Sequence, residues 1–143
     1  MTLTLDQALK IARETMAEGE RRGFLPLAVA VLDTGGQPLV VLRDHRSSLH
    51  RADIAIAKAA GCVAMGLGGR ELAKRAGANP AFIGAVSQLF PRGLVPAPGG
   101  LLVRDAAGVL VGAIGVSGDN SDNDEIAALA GIAAVGLVAE TGA

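Results

Sequence analysis

Val109-Leu110-Val111-Gly112-Ala113-Ile114-Gly115-Val116-Ser117-Gly118-Asp119-Asn120 is the stretch on which the fold turns. It starts as an apolar run rich in Val and Ile, the pattern of a buried strand. It ends in Ser-Gly-Asp-Asn, residues that stop strands and expose backbone N–H groups. A helical pattern follows at once, with Asp122 or Asn123 as the expected cap and Glu140 as the expected end. Ile126, Leu129, Ala130, Ala133 and Leu137 make its expected buried face. A core strand thus hands a Gly-rich polar loop to a helix N-terminus, a place suited to an anionic group.

Upstream of this strand, Leu101–Arg104 and the turn Asp105-Ala106-Ala107-Gly108 complete a hairpin. The same device occurs earlier. Leu27–Asp33 and Pro38–Arg43 flank Thr34-Gly35-Gly36-Gln37, again a strand, an Asp-x-x-Gly turn and a strand. Hairpins imply antiparallel pairing. Before the first hairpin, Thr4 to Arg22 reads as an amphipathic helix with a Thr4/Gln7 capping box. Its expected inner face is Leu5, Ala8, Leu9, Ala12 and Met16, and Gly23 ends it. Between the hairpins lie an Ala-rich helix from Ala52 to Met65, a short basic helix from Arg70 to Ala76, and a helical turn or two opened by Asn79-Pro80. A long Pro/Gly loop from Pro91 to Gly100 follows, with a short extended piece at Leu94-Val95. The order predicts an α+β fold: one antiparallel sheet of four to five strands packed by helices, in a single domain over residues 1–143.

Composition excludes several classes. The formal net charge is -1 and there is no Trp or Tyr, so neither a basic footprint nor stacking platforms suit nucleic acid. Cys62 is the only cysteine, which rules out a disulfide framework and a Cys-based zinc cluster within the chain. The first residues lack the pattern of a signal peptide, and apolar runs are short or broken by Gly. A cytoplasmic protein with no membrane partner is the expectation.

Several stretches in order resemble the GlcG/HbpS-like family, also called the haem-degrading-domain family. They are Ala30-Val31-Leu32-Asp33-Thr34-Gly35-Gly36, Arg43-Asp44, Ala57-Lys58-Ala59, Pro98-Gly99-Gly100, and Gly112-Ala113-Ile114-Gly115-Val116-Ser117-Gly118 followed by Asp124. No one of these is specific; the ordered set is, and it spans nearly the whole chain. The resemblance extends to the C-terminal domain of some corrinoid adenosyltransferases. It implies a profilin-like α-β-α arrangement and a homo-oligomer. Haem as a cofactor enters through this resemblance alone, and no metal site is expected from the residues.

Each candidate side chain carries an ordinary reading beside a functional one. His45 and His50 are the only histidines, five residues apart, which is the wrong spacing for one helical face. They read as solvated loop residues or as acid/base groups, since His titrates near neutral pH. His45, beside Arg43, Asp44 and Arg46, is the favoured catalytic residue. Arg43 and Arg46 suit a carboxylate or phosphate clamp, or a surface network with Asp44. Lys58 reads as a snorkelling lysine or as a buried one paired to Asp33 or Asp124. Gly99, Gly100, Gly115, Ser117 and Gly118 read as turn glycines or as an N–H cradle for an anion. Asp119, Asp122, Asp124 and Glu125 suit capping of the last helix.

Gathered in one pocket, His45, Arg43, Asp44, Lys58, the two Gly loops and Asp124 suggest a small-molecule site of catabolic type. Its ligand would be a small organic acid, with His45 moving a proton. The alternatives are a haem- or corrinoid-binding module and a non-catalytic assembly or sensor subunit.

Overall fold

The computed structural model describes residues 2–143. In chain order the elements are α1 (Leu5–Arg22), β1 (Ala28–Leu32), β2 (Pro38–Arg43), α2 (Arg51–Met65), α3 (Gly69–Ala78), α4 (Pro80–Ser87), β3 (Gly100–Arg104), β4 (Leu110–Ser117), α5 (Ser121–Ala133) and β5 (Val138–Glu140). The strands form one antiparallel sheet in the order β2-β1-β4-β3-β5. The α+β expectation therefore holds.

Helices cover both faces, which is why the central strands are apolar throughout instead of alternating. Val29, Val31, Ile114 and Val116 pack under α1 and α5, with Ile11, Ala12, Ala128 and Ile132. Ala28, Ala30, Leu32 and Ala113 face α2, with Ala55, Ala59 and Cys62. Small residues dominate the second layer and draw α2 close to the sheet. A Cβ added at Gly115 would overlap the Ala55 carbonyl oxygen.

The two hairpin turns share one device. Asp33 Oδ1 accepts from the N–H groups of Gly35 and Gln37, each at 2.9 Å. Asp105 Oδ1 accepts from Ala107 and Val109 in the same way, each at 2.9 Å. The α1 capping box is also present, with Gln7 N–H donating to Thr4 Oγ1 at 3.1 Å and Thr4 N–H to Gln7 Oε1 at 3.0 Å.

Several expectations are corrected. The fifth strand is β5, paired with β3, and not the piece at Leu94-Val95. Leu94 is buried against Gly61 of α2, so that segment packs on a helix and adds nothing to the sheet. The last helix stops at Ala133 instead of Glu140, because Gly136 takes a left-handed φ of 70° and turns the chain back to the sheet edge.

Its N-cap is Asn120, whose side chain accepts from Asn123 N–H, and its buried face is Asp124, Glu125, Ala127, Ala128, Gly131 and Ile132. Leu129 is exposed. At Gly131 this helix touches Ile11 and Thr15 so closely that no Cβ fits. The inner face of α1 is accordingly Ala8, Ile11, Ala12, Thr15 and Gly19, with Leu5 in solvent.

Candidate functional site

Register places Arg43, Ala28 and Ser117 side by side at one end of the sheet, with the Gly99-Gly100 loop next to β4. The sequence-derived site residues all lie near this end, but they separate into two groups.

The first group is a closed knot. Lys58 projects from α2 and its side chain is only 4 % exposed, while that of Asp124 on α5 is 1 % exposed. Lys58 Nζ donates to Asp124 Oδ2 at 3.2 Å and to the Val116 carbonyl at 2.9 Å. Asp124 Oδ1 accepts from Asp119 N–H at 3.0 Å. Of the two carboxylates open to Lys58 in the sequence, the partner is Asp124; Asp33 holds its own turn. Burial pushes Lys58 down and Asp124 up from their ordinary pKa ranges, and the attraction between them opposes both shifts.

Gly99 and Gly100 are buried in this knot. A Cβ at Gly99 would lie 2.9 Å from the Val116 carbonyl and 3.0 Å from Lys58 Nζ; one at Gly100 would lie 2.7 Å from the Lys58 carbonyl. A Cβ at Gly118 would meet the Leu27 backbone at 2.9 Å. These glycines, like Gly115, serve close packing. All four are buried, and of the two readings of these glycines the structure supports the packing one within the chain. Cys62 lies in the same layer, and burial lifts its thiol to about 12, so it stays protonated and unreactive.

The second group is the open loop between β2 and α2. Asp44 accepts from Arg46 N–H at 2.8 Å and from its guanidinium at 3.1 and 2.9 Å. Arg46 also donates to Glu20 on α1. This holds the Asp44 carboxyl well below the usual carboxylate range, with the Arg46 side chain as the main cause. Arg46 is thereby spent within the protein. Arg43 makes one side-chain hydrogen bond, to the Ser47 carbonyl at 3.5 Å, and among the described residues it pairs with no carboxylate. The His45 side chain is 91 % exposed, with Asp44 Oδ1 3.7 Å from its Nδ1. It therefore does not join the Gly99-Gly100 loop in a pocket within the chain, because the tight Asp44–Arg46 turn throws it outward.

The structure adds three residues to this picture. His50 Nδ1 lies 3.0 Å from Asp53 Oδ2, which leaves the other ring nitrogen, Nε2, facing solvent. Asp53 sits three residues after His50 at the start of α2, a spacing visible in the sequence. Leu49, beside His50, is 79 % exposed. Arg51 bridges the two groups, donating to Ser48 Oγ at 3.2 Å and to Ser117 Oγ at 3.1 Å. Among the described residues, no three His, Cys, Asp or Glu gather as a metal site.

The family model described as haem degrading protein HbpS-like matches residues 3–133. No curated protein matches the sequence. Among solved structures, PduOC in complex with haem is similar at 25 % identity and a TM-score of 0.85, covering 96 % of this chain and 98 % of that one. A double mutant of HbpS from Streptomyces reticuli is similar at 34 % identity and a TM-score of 0.80, covering 94 % and 88 %. The Klebsiella pneumoniae protein ORFY shares the fold at 23 % identity and a TM-score of 0.81, covering 93 % and 90 %.

Proposed function

The chain belongs to the HbpS-like family, and we propose that it binds haem through an iron ligand presented on its surface. Haem iron takes axial ligands from His, Cys, Met or Tyr. The chain has no Tyr, and Cys62 is buried and held as a thiol. Among the described residues, Met16 and Met65 are partly buried and pack against the two core clusters. The imidazoles of His45 and His50 are the donors that fit.

The observation that carries the reading is the His50–Asp53 pair. Ligating histidines almost always give their second ring nitrogen to a carboxylate or carbonyl, which fixes the tautomer and orients the ring. Asp53 offers this to His50 and leaves Nε2 free. Leu49 offers an apolar contact beside it, and Arg43 offers an unpaired guanidinium for a ligand carboxylate. Bound haem would supply a redox-active iron; the part of these residues is to ligate and orient it.

The reading with His45 as a proton-transfer group on a small organic acid has less support, since its ring faces water and both Gly loops are packed shut. Assembly into a homo-oligomer belongs to the same proposal, and light scattering at micromolar protein should give more than the monomer mass. Titration of haemin into the protein should produce a shifted Soret band that saturates. An unshifted spectrum at every ratio would refute the proposal.

A further inference from the structure

On the other side of the molecule from the loop just described, the β1–β2 turn, the outer face of α2 and the segment after α4 enclose a cleft of about 380 Å³. We propose that this cleft binds a small amphipathic carboxylate, with its apolar body on α2 and its carboxylate on Arg92.

The cleft has the make-up of a ligand site: apolar walls with few polar groups. Ala60, Val63 and Ala64 form the α2 wall, and Phe90 and Pro91 stand opposite. Two of the three α2 residues are alanines, so the wall is low and leaves room for a ligand. Leu89, next in the chain to the lining residue Phe90, is 76 % exposed. A side chain of this size left in water beside a cleft extends the surface available to an apolar tail.

The one charged residue lining the cleft is Arg92. Arg92 donates to the neutral Gln37 Oε1 at 3.0 Å and, among the described residues, pairs with no carboxylate. The acid on the adjoining turn, Asp33, accepts at Oδ1 from the N–H groups of Gly35 and Gln37 and forms no ion pair with Arg92. A guanidinium has five donors arranged to meet a carboxylate through two parallel bonds, and one bond to an amide leaves most of them free. A ligand carboxylate is the group that completes this site. The cleft holds no His, Cys or Met, so its ligand needs no metal and the inference stands apart from the haem reading.

Calorimetric titration with decanoate tests it, with decanol as the uncharged control. The wild type should bind decanoate at one site. Arg92→Gln should weaken decanoate about tenfold or more, the worth of a charge-assisted hydrogen bond, and leave decanol unchanged. Ala64→Trp, on an exposed helical position, should abolish binding of both while leaving the circular dichroism spectrum intact. The variant lacking both histidines should still bind decanoate, which separates this site from the haem proposal. Decanoate that does not bind, that binds Arg92→Gln as it does the wild type, or that is lost with the histidines would overturn the assignment.

Discussion

Two clusters of polar side chains sit within reach of one end of the sheet, joined by Arg51, and they have opposite fates. In the knot around Lys58 and Asp124 every group faces another group of the protein. In the loop from Asp44 to His50 the imidazoles face water. The knot contains more of the residues that look like chemistry: a lysine, a carboxylate, a run of glycines and a serine. Yet its side chains are closed to any ligand. The lesson is that availability follows from what remains unpartnered, and residue type alone does not reveal it.

The sharpest way to break this contrast is to open the knot. Lys58→Met leaves Asp124 buried without its counter-charge and should cost about 3–5 kcal/mol, read as a lower urea midpoint. The sign of the pH dependence follows from Asp124, whose folded pKa is already raised by burial. Without Lys58 the folded state binds a proton there more readily than the unfolded chain does. The variant should therefore gain stability as pH falls from neutral toward the carboxylate range. Adding Asp124→Leu should recover only part of the loss, because the Asp119 N–H and the Val116 carbonyl keep no partner.

Gly115→Ala comes next. The added methyl meets the backbone of Ala55, which has no rotamer to yield, so a loss of about 1–3 kcal/mol or more is expected in the same measurement. If Gly115 instead lined an open cradle, the substitution would leave stability unchanged. On the open side, Asp53→Asn removes the orienting carboxylate and should weaken haemin binding about tenfold with no change in the urea midpoint.

The smallest effect is expected at Asp44→Asn. Arg46 depresses the Asp44 pKa, so the stability this pair adds is present above the ordinary carboxylate range and is lost as pH falls through the folded value. Acid unfolding of the variant should show a slightly flatter limb, while its stability at neutral pH changes little.

Much of the fold was legible in the residues. The two Asp-x-x-Gly turns, the Thr4/Gln7 box and the unbroken apolar strands each have a local physical cause, and each formed where it was read. What escaped was set by tertiary contact. Val138–Glu140 continues the helical composition before it, and only Gly136 marks the break; the sheet edge at β3 then captures the strand.

The face of α5 shifted because Asn120 caps it, not Asp122 or Asn123, and because Gly131 is the point where α1 crosses. The site was harder to read. A glycine that cradles a ligand and one that admits a helix both lack a Cβ, and sequence does not tell them apart. His45 drew attention by its charged neighbours, yet two of them, Asp44 and Arg46, satisfy each other. The quieter signal was Asp53, three residues after His50.

The central claim is that the open loop, and not the closed knot, holds the ligand. Haemin titration of the His45→Ala/His50→Ala variant, followed at the Soret band, tests it most directly. Both side chains are exposed, so the variant should fold with the wild-type urea midpoint. The account predicts that its spectrum stays that of free haemin. A Soret shift as large as that of the wild type, at the same protein concentration, would contradict it.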